Sequence, residues 1–158
     1  AGTAGGPWAS ASADTATRLG ALKARSTTPS EPDSVREARR LIGAAIRNHD
    51  QARAAVIYAE TVREHPRFSL PVDHQLDVAN TLFASERFDE AAIAYEQYLQ
   101  RHTSDHRRVQ TALLLAVLYT RKRPNHERAR ILLDEFEPLA RDEALRRLAN
   151  ELRGELDT

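Results

Sequence analysis

The stretch Arg87-Phe88-Asp89-Glu90-Ala91-Ala92-Ile93-Ala94-Tyr95-Glu96-Gln97-Tyr98 carries the fold of this chain. It opens with an aromatic and two acids, which suit the first turn of a helix. It then sets a small residue at Ala91 and aromatics at Tyr95 and Tyr98. Offsets of four and three put those side chains on one helical face. Another small residue, Ala79, lies twelve positions before Ala91 within a second amphipathic stretch. Small residues at both places let two antiparallel helices approach, and Tyr95 fills the space beyond them. The expected unit is a helical hairpin.

The hairpin recurs. In Asp50-Gln51-Ala52-Arg53-Ala54-Ala55-Val56-Ile57-Tyr58, Ala54 stands for Ala91 and Tyr58 for Tyr95, with Gly43 in the place of Ala79. In a third copy Ala116 stands for Ala79, Ala129 for Ala91, Leu133 for Tyr95 and Phe136 for Tyr98. The third copy holds one extra residue before Ala129. A period of about 37 residues falls in the range of stacked helical repeats.

Around these anchors the elements follow. Asp33 or Ser34 caps a first helix through Val35, Ala38, Leu41, Ile42, Ala45 and Ile46. Asn48-His49-Asp50 turns into a second helix, which stops before Pro66 because the ring disfavours helix for the residue ahead of it. Helices are expected from Val72 to Ser85 and from Asp89 to Arg101. Thr103-Ser104-Asp105 caps a fifth, whose near-continuous apolar run Ala112 to Tyr119 is the most buried. Pro124 sits at a turn where it can begin the sixth helix, and Pro138 is expected to end it. Arg141 to Leu156, with Leu145, Leu148 and Leu152, reads as a capping helix that covers the last hairpin's apolar face. No period-two strand is evident.

Residues 1–32 are rich in Ala, Gly, Ser, Thr and Pro and read as a flexible linker, with Thr15 to Arg25 as an alternative short helix. Residues 33–156 are the repeat domain. The start lacks the basic and apolar regions of a signal peptide. With no methionine anywhere, the chain is expected to be an excised piece or a processed product.

Composition narrows the function. The 158 residues carry 23 basic and 23 acidic side chains, which argues against a general electrostatic hold on nucleic acid. There is no cysteine, so disulfides and thiolate chemistry are excluded. No run of 18 or more apolar residues marks a membrane span. The compartment stays open.

The pattern resembles the tetratricopeptide repeat family, whose period is about 34. The resemblance covers about Asp33 to Leu139 and is strongest from Val72 to Thr103. The family's early tryptophan has no equivalent here, and only the first copy keeps the late proline, as Pro66. The resemblance implies an all-α fold: a right-handed α-α superhelix of about three hairpins plus a C-terminal capping helix. It also implies ligand binding on the concave surface lined by the first helix of each hairpin. That places Asp73, Leu76, Asn80 and Phe83 there from the second copy and Gln110, Leu113, Val117 and Arg121 from the third. The first copy offers Arg40, Ala44 and Arg47. A competing reading makes Leu76, Leu113 and Val117 packing residues. One subclass of the family clamps a C-terminal carboxylate with Lys, Asn and Arg. Asn80 matches one such position, but Leu113 and Val117 replace polar groups in the third copy, so no chaperone-tail binding is expected.

Reactive constellations are sparse. His102 and His106 are four apart but straddle the loop Thr103-Ser104, and no third ligand is near, so no metal is expected. Asp89-Glu90 and Asp134-Glu135 read as helix-surface acids. Ser10, Ser12 and Ser104 lack a nucleophile elbow, and Gly5-Gly6 opens no phosphate loop. The clusters Arg107-Arg108 and Arg121-Lys122-Arg123 read as solvated charge, or else as contacts for phosphate or an acidic peptide.

The expectation is a non-catalytic module without cofactor that binds a peptide or protein. The alternative is a regulatory tail tethered to a membrane enzyme. Leu70 to Asn80, Phe88 to Tyr98 and Leu115 to Ala129 resemble tails that follow rhomboid-type intramembrane proteases, whose catalytic motifs this chain lacks. A homodimer through Leu145, Leu148 and Leu152 is a further expectation, with a monomer expected if the last helix folds back.

Overall fold

The computed structural model describes residues 31–158. The expectations for residues 1–32 fall outside that range, save for Glu31 and Pro32. The chain divides after Arg36 into two units. The described part of the first is the start of helix α1 (Asp33–Arg47), which continues into the second. Six further helices follow: α2 (Gln51–Glu64), α3 (Val72–Ala84), α4 (Phe88–Arg101), α5 (Arg108–Val117), α6 (His126–Phe136) and α7 (Glu143–Leu156). The described residues are all-helical, with no strand.

The second unit is built by neighbours packing in sequence. α2 packs on α3, α3 on α4, α4 on α5 and α5 on α6, while α7 folds back against both α5 and α6. The α3–α4 pair has the most extensive contact. Ala54, Ala79, Ala91, Ala116 and Ala129 are all inaccessible to solvent, as the spacing requires. In α7 the residues that turn inward are Ala149, Leu152 and Leu156. Burying each leucine contributes about 2 kcal/mol. Of the face expected to dimerise, Leu152 is buried, while Leu145 and Leu148 are half-buried.

The turns inside the hairpins repeat with the sequence. His49 and Glu86, 37 residues apart, both take positive φ, 60° and 61°. Each ends its helix in the same way: Asp50 N–H donates to the Ala45 carbonyl at 2.8 Å, and Arg87 N–H to that of Leu82 at 2.9 Å. These bonds reach back five residues and satisfy carbonyls left open at a helix end. In the third copy Arg123 N–H reaches back to Leu118, also five residues, at 2.8 Å. Here the extra residue is absorbed as a π-helical turn, Leu118–Lys122, continuous with α5.

Two expectations are corrected. The turn register makes Ile42, not Gly43, the counterpart of Ala79. A Cβ on Gly43 would meet, among the described residues, only its own helix's Arg47 Nη1 at 3.3 Å, so Gly43 is covered by a side chain from one turn on. Pro124 does not begin α6. Asn125 caps that helix, accepting from Arg128 N–H at 3.2 Å, and Pro124 lies in the turn before it. Pro138 does end α6, within the 3-10 turn Glu137–Leu139.

Candidate functional site

The first helices of the second and third hairpins, α3 and α5, present matched faces. On α3 the exposed positions are Asp73, Asp77, Asn80 and Ala84. Thirty-seven residues on, α5 and its π-helical turn place Gln110, Leu114, Val117 and Arg121, exposed or half-buried. Spacings of four, three and four keep each set on one face. In α1 the same register reaches the exposed Arg40 and Arg47, while Ala44 falls one residue off it.

This face brings together five of the eight expected residues. Asp73 accepts from Arg107 Nη2 at 2.9 Å, and Asn80 Oδ1 accepts from Tyr95 Oη at 2.6 Å. Gln110 is exposed and Val117 half-buried. Arg121 makes a two-pronged pair with Glu155 on α7, the shorter arm 2.8 Å. Of the other three, Leu76 and Leu113 turn inward and Phe83 is half-buried. Leu113 is 0% exposed and Leu76 6%, which makes them packing residues, because α3 and α5 have neighbours on more than one side. Phe83 packs edge-on against Phe88 and Tyr95, at 5.5 and 6.5 Å between centroids. Sequence reasoning missed Asp77 and Leu114. Their signal was an offset of four from Asp73 and Gln110.

The basic clusters are consumed within the fold. Lys122 Nζ sits 5.8 Å from the Phe88 ring centre, and Arg123 grips Asp89 through two bonds of 2.5 and 2.6 Å. Arg108 donates to the Leu99 and His102 carbonyls at the end of α4, where a cation also suits the helix dipole. Arg107 binds Asp105 with its backbone N–H, Nε and Nη2, each at 3.0 Å. Those bonds from Arg107, with a further one from Tyr98, hold the Asp105 carboxyl well below the usual carboxylate range. His102 Nε2 lies 3.1 Å from the Leu70 carbonyl oxygen, while His106 is exposed. Among the described residues no group of three His, Cys, Asp or Glu gathers to hold a metal. No described helix is long and apolar enough to cross a membrane.

A second concavity lies along the other helices. A groove of about 770 Å³ runs beside α4, with walls from α2 and α6. Val62, Ala92, Leu99 and Phe136 form its apolar floor. Within it Glu96 binds Arg128 at 2.7 and 2.9 Å and accepts from Tyr119 Oη at 3.1 Å. Burial, with the neighbouring Glu96 charge, pushes the Tyr119 phenol up. Sequence reasoning did not find this groove, whose walls come from three separate repeats. The chain matches no protein-family model, no curated protein and no solved structure.

Proposed function

We propose that this chain is a tetratricopeptide-like repeat module, its hairpins wound in a right-handed superhelix, and that it works as a non-catalytic binding surface for a peptide or protein. The observation that supports the reading is the 37-residue register, in which turns, buried alanines and exposed faces recur together. Stacked hairpins of this kind offer extended surfaces rather than a closed cleft. The binding face in this reading is Asp73, Asp77, Asn80, Gln110, Leu114, Val117 and Arg121.

That face mixes an acid with no ion partner among the described residues, Asp77, with two partly exposed aliphatic side chains, Leu114 and Val117. It suits an extended or amphipathic peptide that offers a cation to Asp77 and an apolar side chain to Leu114 and Val117. The test is a displayed peptide library selected against the purified chain, followed by hydrogen exchange on the complex. Protection centred on residues 73–84 and 110–121, lost in Val117→Arg, is the expected result. No selectable peptide, alongside a measurable turnover of any substrate, would overturn the reading.

A further inference from the structure

We propose that the groove along the second helices is a self-association surface, which takes a second copy of this chain across a twofold axis. The inference is independent of the peptide-binding face, which lies on the first helices.

The first observation is a repeated exposure. Only four large hydrophobic side chains among the described residues are exposed: Val56 at 43%, Ile93 at 43%, Ile131 at 46% and Leu139. Three of them hold one repeat position, two residues after the buried Ala54, Ala91 and Ala129. Each of α2, α4 and α6 therefore offers a β-branched aliphatic to solvent at the same place. Ile93 stands at the groove itself, and Val56 and Ile131 are its counterparts on the two flanking helices. Single exposed aliphatics are ordinary, but a set that recurs with the repeat marks a surface.

The second observation is charge. Arg63, from α2, and Glu135, from α6, both line the groove, where α4 is tied to Pro66 beyond the end of α2 through Gln97 and to Arg128 of α6 through Glu96. Neither makes a hydrogen bond or ion pair with another described residue. Glu135 lies within the field of Arg128, but two nitrogens of that guanidinium are already held by Glu96. The other charges in the groove are satisfied: Glu96 by Arg128 and Tyr119, and Arg108 by two carbonyls and by the Phe136 ring at 5.5 Å. The groove is thus an apolar floor crossed by satisfied polar pairs, with an unbonded cation on its α2 wall and an unbonded carboxylate on its α6 wall. A twofold axis running along α4 exchanges the edges and sets Arg63 of each copy against Glu135 of the other. Such an isologous contact is complementary to itself, which suits a second copy of this chain better than an unrelated peptide. The formal net charge of zero removes long-range repulsion between copies.

Light scattering and sedimentation over a concentration series test this, with circular dichroism as the folding control. Wild type is expected to double its mass as concentration rises, and Ile93→Asp to stay monomeric with unchanged helicity. Arg63→Glu alone and Glu135→Arg alone each set like charges face to face twice and should weaken the dimer by about tenfold or more. Mixing those two single variants sets the introduced carboxylate of one against the introduced guanidinium of the other and keeps the native Arg63–Glu135 pair at the opposite edge. The mixture should therefore dimerise as wild type does, while each single variant alone stays about tenfold or more weaker. A monomer at every concentration, including one whose groove takes a peptide, would overturn the proposal. So would a dimer indifferent to the charge swaps, or one broken only by changes on α7.

Discussion

The second and third hairpins share a register but are locked by opposite means. In α3 and α4 the ties are polar. Gln75, 0% exposed, accepts from Leu70 N–H at 2.9 Å and donates to Tyr58 Oη at 3.1 Å and to the Ala94 carbonyl at 2.8 Å. Tyr95 donates to Asn80, and Tyr98 donates to Asp105 at 2.6 Å. At the matching places the third hairpin has Ala112 for Gln75, Val117 and Leu133 for Asn80 and Tyr95, and Phe136 for Tyr98. Both members of the Asn80–Tyr95 pair change together, so neither substitution strands a polar group. The third hairpin is instead clipped to its neighbours from outside, by Arg107–Asp73, Arg123–Asp89 and Arg128–Glu96. The repeat dictates where contact is made and leaves its chemistry open.

The strongest way to break the contrast is Gln75→Ala, which gives the second hairpin the third's residue without the rest of its apolar set. Leu70 N–H and Tyr58 Oη lose their partner in a buried place. The expected cost is about 3 kcal/mol, read from the urea midpoint. A cost under about 1 kcal/mol would mean that Gln75 is not the tie between α2, α3 and α4.

Alkali attacks the same polar lock. Burial pushes the Tyr58 phenol up to about 12 and also raises Tyr95, Tyr98 and Tyr119. These are all four tyrosines of the chain. A phenol whose folded pKa is raised stabilises the fold fully below the unfolded value of about 10. That contribution is lost as pH rises toward 12. Tyrosinate absorbance and loss of helix should therefore appear together above about pH 10. A tyrosine that titrates near pH 10 with helicity intact would dissolve the link between burial and the lock.

How much of this was written in the residues depends on the kind of contact. Ala54, Ala79, Ala91, Ala116 and Ala129 were legible because a small residue at a fixed offset has one use in a close-packed pair. Gly43 misled for the same reason: its size suggested a helix crossing, yet the register places Ile42 there and Arg47 covers the glycine. The left-handed turns at His49 and Glu86 carried no glycine to announce them. On the candidate face, the resemblance to a known repeat placed Asp73, Asn80, Gln110 and Arg121, and all four are exposed. Leu76 and Leu113 were misplaced because α3 and α5 are apolar on more than one side, and periodicity does not say which stripe meets water. The groove joins Glu96 to Arg128 across 32 residues, a distance no local pattern reports.

A finer test of the contrast is a double-mutant cycle on Asn80 and Tyr95. Asn80→Val leaves the Tyr95 hydroxyl without its acceptor, and Tyr95→Phe leaves the Asn80 amide without its donor. Each single change should cost about 1 kcal/mol, with the double change costing less than the sum by a similar amount. Strict additivity would show that the 2.6 Å bond adds nothing to stability and that the third hairpin's Val117 and Leu133 are an unrelated choice.

The smallest expected effect concerns the one place where the third hairpin departs in geometry as well as chemistry. Thr61 and Thr81 each donate their hydroxyl to the carbonyl four residues back, both at 2.7 Å. Thr120 lies in the π-helical turn, where backbone bonds reach back five residues, and its Oγ1 is buried without a partner among the described residues. The extra residue of the third copy thus strands a hydroxyl that an ordinary helical turn would have satisfied. Thr120→Val keeps the branched shape and removes the stranded group, so it should stabilise the chain by about 0.5–1 kcal/mol. Thr81→Val, in a regular helix, removes a satisfied bond and should instead cost a few tenths of a kcal/mol or be neutral. Opposite signs at the two positions, read from thermal midpoints of the two variants, would locate the strain of the inserted residue in the π-helical turn. Equal signs would place it elsewhere in the hairpin.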